Sequence, residues 1–304
     1  MQYAMIPGTD MKVSRLCLGT MTFGTPVSAP EAIRLMRLAR DEYGINFVDT
    51  ANMYEGYNRS AGSPGGVAEE IVGKALAGRR GDFIIATKLG MKVGTAPEDD
   101  MTSPAAIHTQ LRRSLKRLGT DWVDIYYLHR FDPDTPPQLI ARAMGEELKA
   151  GRVRAWAVSN YTAEQLSALL NAAKEENVAA PALCQPQMSL LCQGPVGDLL
   201  PLCSEHGMGV VPYQVLHGGY LTGKYAADSA APEGSRMAEK PGWMKPMAEA
   251  DWKAVEDARA AARAQGCTMV QYALRWALSQ QGVVSALIGV KREEQIREAV
   301  AALA

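Results

Sequence analysis

Asp49, Tyr54, Lys88 and His129 differ in type yet stand in similar places, at or just past the ends of short apolar runs. The runs are Asn46-Phe-Val-Asp49, Phe83-Ile-Ile-Ala-Thr-Lys88 and Val123-Asp-Ile-Tyr-Tyr-Leu-His129, and Tyr54 follows the first of them. Taken singly, Asp49 reads as a turn cap, Lys88 as a solvated strand end and His129 as a satisfied core histidine. Brought together, they could move a proton onto a carbonyl oxygen. A phenol beside an ammonium is expected to titrate closer to neutrality than its free value of ~10, because the cation favours the phenolate. Asp49 would keep that ammonium from being an unpaired buried charge, and His129 would donate a hydrogen bond to the same substrate oxygen. None of the four can supply a hydride, so reduction of the carbonyl needs a redox cofactor.

Such residues converge if the apolar runs are strands of a closed parallel sheet. Buried parallel strands read as short apolar runs, and in a (β/α)8 barrel their C-terminal ends open onto one mouth. The chain alternates such runs with amphipathic stretches. A hairpin is expected first, Tyr3 to Ile6 and Lys12 to Ser14 around Pro7-Gly-Thr-Asp10, then a first barrel strand from Arg15 to Leu18 that Gly19 ends. Further strands are expected at 46–49, 83–87, 123–128, 153–159, 182–185, 209–213 and 284–288, eight with the first. Helical spacing appears over 29–42, 67–76, 102–118, 136–150 and 162–176, and again from Arg292 onward. Two stretches exceed ordinary loop lengths, Gly56 to Gly66 and Ala226 to Ala250, and both are expected to rim the mouth.

The expected fold class is α/β: a (β/α)8 TIM barrel, one domain over 1–304, with a short N-terminal β-hairpin and long loops at the C-terminal barrel face. Lysine plus arginine number 32 against 33 aspartate plus glutamate, which leaves no basic field to attract nucleic acid or an anionic membrane. Cys17, Cys184, Cys192, Cys203 and Cys267 are odd in number and lack C-x-x-C or metal spacing, so they read as reduced thiols without a disulfide frame or metal site. Only four histidines occur and none forms His-x-His, which argues against a metal-dependent barrel enzyme. Met1-Gln-Tyr-Ala-Met-Ile-Pro does not read as a leader, and no stretch approaches the ~18 apolar residues of a membrane span; a cytoplasmic protein is expected.

In order along the chain come Gly19-Thr-Met21, Asp49-Thr-Ala-Asn-Met-Tyr54, Thr87-Lys88, and Leu118-Gly119-Thr-Asp121 ahead of Leu128-His129. Gly151-Arg152 then precedes Val158-Ser159-Asn160, and Gln185, Tyr213, Leu221-Thr-Gly-Lys-Tyr225 and Ile288-Gly289 follow. This series resembles the aldo-keto reductases, (β/α)8 barrels that reduce carbonyls with a nicotinamide cofactor, and the likeness runs almost end to end. The resemblance implies that Asp49, Tyr54, Lys88 and His129 form a catalytic tetrad with Tyr54 as general acid. It also implies a cofactor set that includes Gly19, Thr20 and Met21. Ser159, Asn160 and Gln185 would hold the nicotinamide carboxamide, and Tyr213 would stack on the nicotinamide ring. Leu216, Gly219 and Leu221 would take the pyrophosphate, in a loop whose Gln214-Val215 stands where family members more often have Ser-Pro. Lys291 would contact the adenosine 2′-phosphate, with Gln295 and Glu298 on the adenine side, so NADPH is the implied cofactor and NADH is left open. No G-x-G-x-x-G follows the first strand, which argues against a Rossmann dehydrogenase.

The leading expectation is an NADPH-dependent oxidoreductase that reduces aldehydes or ketones to alcohols. The alternative is a cofactor-sensing binding subunit, because the resemblance extends to the β subunits of voltage-gated potassium channels. The lack of a segment ahead of the hairpin weighs against it. Phe23, Met53, Arg130, Phe131 and Trp243, together with Met21, are expected to line an apolar mouth with one cation. The expected partner is a small aldehyde or ketone, not nucleic acid or membrane, and a homo-oligomer stays open.

Overall fold

The computed structural model describes residues 1–60, 62–227 and 229–304. Ala61 and Asp228, each inside one of the two long loops expected above, lie outside the described residues. An antiparallel hairpin opens the chain, β1 (Tyr3–Met5) with β2 (Lys12–Ser14). The parallel strands are β3 (Leu16–Gly19), β4 (Phe47–Asp49), β5 (Ile84–Leu89), β6 (Val123–Leu128), β7 (Val153–Ser159), β8 (Leu183–Gln185), β9 (Gly209–Val210) and β10 (Ala286–Gly289). Their order is β10-β3-β4-β5-β6-β7-β8-β9. A parallel bridge from Val210 to Val283, with the Val284 N–H donating to the Val210 carbonyl at 2.9 Å, joins the two edges and closes the barrel.

Alternation along these strands decides what faces inward. Cys17, Phe47, Ala86, Ile125, Tyr127, Ala155, Ala157, Leu183 and Val211 pack together inside the barrel, and Ile6, Met11 and Val13 of the hairpin plug the same cluster. Side chains two residues apart share a face of a strand. The next inward positions toward the C-terminal ends are therefore Asp49 after Phe47, Lys88 after Ala86, His129 after Tyr127, Ser159 after Ala157 and Gln185 after Leu183. The apolar interior thus gives way to polar groups on one level, and the register pairs Gly19 with Asp49, Lys88 with Tyr127, and Ser159 with Gln185. The outward positions, including Leu18, Val48, Ile85, Tyr126, Leu128, Trp156 and Val158, pack on the surrounding helices.

Those helices are α1 (Ala29–Asp41), α2 (Val67–Leu76), α3 (Pro104–Leu118), α4 (Pro137–Lys149), α5 (Ala163–Glu175), α6 (Gly194–Gly197), α7 (Leu199–Glu205), α8 (Arg236–Glu239), α9 (Glu249–Ala264), α10 (Met269–Ser279) and α11 (Glu293–Val300). Local chemistry sets several ends. Ser103 caps α3 by accepting from the Ala106 N–H, Gly119 ends it in the left-handed region, and Thr162 with Gln165 forms a capping box on α5. Among the described residues, no helix is long and apolar enough to cross a membrane.

The sequence reading differs from the structure in several places, among them the last barrel strand, expected over 284–288 and found at Ala286–Gly289. The strand expected over 209–213 keeps only Gly209–Val210, because Pro212 has no N–H for a ladder, and Tyr213 rejoins through a bridge to Gln187. The first barrel strand lies one residue further on than expected and includes Gly19. A Cβ at Gly19 would stand 2.8 Å from Leu287 Cδ2, so glycine lets β3 lie against β10. Helices α6, α7, α9 and α10 lie outside the stretches of expected helical spacing. α9 buries only Val255, Ala258 and Ala262, a small-residue stripe with little apolar contrast. Finally, the segment expected as a loop from Ala226 to Ala250 contains α8 and a 3-10 turn over Pro241–Trp243.

Candidate active site

Lys88 is the centre of the site. Its side chain is fully buried, and its ammonium ion-pairs with Asp49 while donating to the Thr50 carbonyl at 3.0 Å and the Tyr54 hydroxyl at 3.2 Å. An ammonium carries three N–H groups, and these three acceptors account for them. Because Lys88 donates to it, the Tyr54 oxygen is an acceptor on that side, and its own O–H has no acceptor among the described residues. His129 meets the Tyr54 ring edge-on, with centroids 5.9 Å apart at 80°. Its Nδ1 is buried without a hydrogen-bond partner among the described residues. The four residues that the apolar runs placed at strand ends therefore form one contiguous cluster, Asp49 on Lys88, Lys88 on Tyr54 and Tyr54 against His129.

The electrostatics follow from this packing. Burial alone would lower the Lys88 pKa, but the Asp49 carboxylate and Tyr54 outweigh it and hold the ammonium above its usual 10.5. Burial raises the Tyr54 phenol above 10, and the Asp49 charge adds to the rise while Lys88 opposes it. This corrects the expected fall toward neutrality: desolvation of a phenolate exceeds what one shared ammonium returns. Burial, reinforced by the Lys88 and Arg130 charges, holds His129 well below 6.5, so the imidazole is neutral at physiological pH.

The residues expected to hold a nicotinamide form one chain of hydrogen bonds. Tyr213 donates its hydroxyl to Asn160 Oδ1 at 2.6 Å, and Asn160 Nδ2 donates to the His129 carbonyl at 2.8 Å and to Ser159 Oγ at 3.2 Å. Ser159 Oγ donates to the Gln185 carbonyl at 2.8 Å, and Gln185 Nε2 reaches Asp49 Oδ2 at 2.9 Å. Asn160 sits at φ 59°, a left-handed conformation that asparagine tolerates better than most residues. At the first strand end, Thr20 is buried with its hydroxyl on the Asp49 carbonyl at 3.1 Å, while Met21 is half-buried.

Beyond Tyr213, the chain turns through a 3-10 segment, His217–Thr222, in which Gly219 takes φ 105°. The N–H groups of Gly219 and Leu221 both donate to the Leu216 carbonyl, at 2.8 and 3.2 Å. A Cβ at Gly219 would lie 3.1 Å from Lys224 Nζ, so this glycine lets the Lys224 ammonium lie close against the turn. Lys224 lies within Leu221-Thr-Gly-Lys-Tyr225, and the turn through Gly223 brings its ammonium back against Gly219. The segment rests on a satellite core of Tyr220, Leu221, Tyr225, Val255 and Met269. Gln295 accepts from the backbone N–H groups of Lys291 at 2.6 Å and Arg292 at 3.2 Å, capping α11, and Glu298 is half-buried on that helix.

The residues expected to contact substrate divide. Phe23 does not reach the mouth: its apolar ring is fully buried in the barrel-to-helix core with Val27, and that expectation is corrected. Arg130 is no free cation, since it pairs with Asp100 at 2.6 Å and donates to the Gly90 carbonyl at 2.8 Å. Phe131 is exposed and meets Tyr161 edge-on at 5.6 Å, lining a cavity of about 240 Å³ that none of Asp49, Tyr54, Lys88 or His129 borders. Met53 is half-buried next to Tyr54 in the chain. Trp243, exposed, packs edge-on against Tyr57 at 5.3 Å, so the two long loops do meet.

Comparison with known proteins agrees with this architecture. Residues 15–304 match the model of the aldo/keto reductase family. A probable voltage-gated potassium channel subunit beta of Arabidopsis thaliana is 34% identical over 306 residues, which span 98% of this chain and 90% of that protein. The L-glyceraldehyde 3-phosphate reductase of Escherichia coli is 32% identical over 314 residues, 100% of this chain and 88% of that protein. An uncharacterized oxidoreductase of Bacillus subtilis is 32% identical over 311 residues, 100% of this chain and 91% of its own length. With a closed barrel whose strand ends gather these groups and a family match that begins at the first barrel strand, the chain belongs to the aldo/keto reductase family.

Proposed function

We propose that this protein reduces aldehydes or ketones to alcohols with NADPH, and that Tyr54 is the general acid. The observation that carries the reading is the buried ammonium of Lys88, bonded at once to Asp49 and to Tyr54, with the phenol's own proton unclaimed by the protein. The residues fit a dinucleotide. The chain from Tyr213 to Gln185 offers amide and hydroxyl groups for a carboxamide, and the Lys224 ammonium against the Gly219 turn suits a pyrophosphate. A bound nicotinamide would supply the hydride. The protein would supply the proton from Tyr54 Oη, held in line by Lys88, and a hydrogen bond from neutral His129. With Nδ1 buried and unpartnered, the ring keeps its proton on Nε2, since a buried unmet donor costs more than an unmet acceptor.

The substrate range is open to direct assay. A spectrophotometric screen of aromatic, small aliphatic and sugar-derived carbonyls with NADPH and NADH tests the proposal, and rapid NADPH consumption with at least one class is the expected result. Tight cofactor binding with no turnover of any class would favour the second reading, a cofactor-sensing subunit, which the likeness to the channel β subunit supports. The neutral His129 gives a further expectation. Its folded pKa is depressed, so between that value and 6.5 the unfolded chain binds the extra proton, and its contribution to stability falls as pH drops below 6.5. In the folded enzyme it does not titrate near 6.5, and kcat/KM should run flat through that pH. An inflection there that vanishes in His129→Gln would show the imidazole to be chargeable and the assignment wrong.

A further inference from the structure

Lys291 is fully engaged by the protein. Its Nζ ion-pairs with Glu239, donates to the Gly234 carbonyl at 2.9 Å, and stands 5.1 Å from the centre of the Tyr57 ring. Two acceptors and one ring face therefore occupy an ammonium with three N–H groups. Of these partners only Glu239 carries charge. It is the last residue of α8, in the segment that runs on through Lys240 to Trp243, and Lys240 lies 6.0 Å from the Tyr57 ring centre and 5.6 Å from that of Trp243. The two long loops and the start of α11 thus meet at Lys291.

We infer that Glu239 is a specificity-determining residue that acts against the cofactor's 2′-phosphate. The inference rests on the reading of Lys291 as the contact for that phosphate. A phosphate monoester carries about −1.5 to −2 charge at neutral pH, and a carboxylate already paired with the ammonium competes for the same N–H groups and repels the newcomer. With water-like screening, repulsion between a carboxylate and a neighbouring phosphate is worth roughly tenfold in affinity. NADH meets no such opposition, because its 2′-hydroxyl can donate to a carboxylate, the arrangement by which acidic residues select NAD elsewhere. Lys291 and Glu239 therefore pull selectivity in opposite directions.

The test is equilibrium titration of the full chain with NADPH and with NADH, comparing the parent protein, Glu239→Gln and Lys291→Ala. Glu239→Gln keeps shape and hydrogen-bonding capacity while removing the charge. It is expected to tighten NADPH about tenfold and to change NADH by less than about twofold. Lys291→Ala is expected to weaken NADPH selectively. If Glu239→Gln weakens NADPH, or shifts both cofactors equally, Glu239 positions the segment or Lys291 and the inference fails. If Lys291→Ala is selective for NADPH but Glu239→Gln leaves its Kd unchanged, only the competition is wrong. Equal losses for both cofactors in Lys291→Ala would instead overturn the 2′-phosphate reading and the inference with it.

Discussion

Tyr54→Phe is expected to bind NADPH as tightly as the parent protein and to lose roughly 10²- to 10⁴-fold in kcat, the range removed with a general acid. The substitution takes one oxygen and leaves the packing. The Tyr54 backbone is held independently, its N–H donating to the Ala51 carbonyl at 3.1 Å and its carbonyl accepting from Ala68 at 3.0 Å, and the ring edge contact with His129 does not use the hydroxyl. Lys88 keeps Asp49 and the Thr50 carbonyl. Nothing in the chain from Tyr213 to Gln185 touches the phenol oxygen, so the cofactor side is undisturbed. Equal losses in kcat and kcat/KM with an unchanged cofactor Kd would place the defect in the reacting state alone. Undiminished turnover would remove Tyr54 from the mechanism and leave the buried ammonium as a purely structural pair.

The candidate site residues were legible in the sequence because strand parity is a local rule. Phe47 to Asp49, Ala86 to Lys88 and Tyr127 to His129 each step by two from an apolar interior position to a polar one, and the barrel's register does the rest. Two kinds of information were not local. The sign of the Tyr54 shift depends on how completely packing strips water from the phenol, which no spacing reports, and the count of charges alone predicted the wrong direction. Partnerships across the mouth were equally invisible. Arg130 with Asp100, Lys291 with Glu239 and Trp243 with Tyr57 join segments far apart in the chain, and each turns an apparently free group into an occupied one. Phe23 failed for the opposite reason: it follows a strand end like the candidate site residues do, but its chain turns back through a bridge to Val27 and buries the ring.

Lys88→Met is expected to abolish turnover and to destabilise the fold by about 3–5 kcal/mol, the cost of leaving one member of a buried ion pair alone. Asp49 is 1% exposed, and without Lys88 its carboxylate keeps Gln185 Nε2 as a side-chain donor but no cation. The sign of the pH dependence separates this cause from lost packing. A buried carboxylate stranded without its cation favours its neutral form, so the folded variant takes up a proton more readily than the unfolded chain and regains stability as pH falls. The destabilisation measured by urea should therefore shrink between pH 8 and pH 5, whereas a packing defect would be indifferent to pH. Adding Asp49→Asn to Lys88→Met removes the stranded charge and should recover part of the stability. It should recover none of the activity, because Tyr54 still lacks the ammonium that favours its phenolate. Stability restored together with turnover would mean that Lys88 serves the fold and not the proton transfer; a double variant no more stable than Lys88→Met would mean that the cost lies in packing and not in the charge.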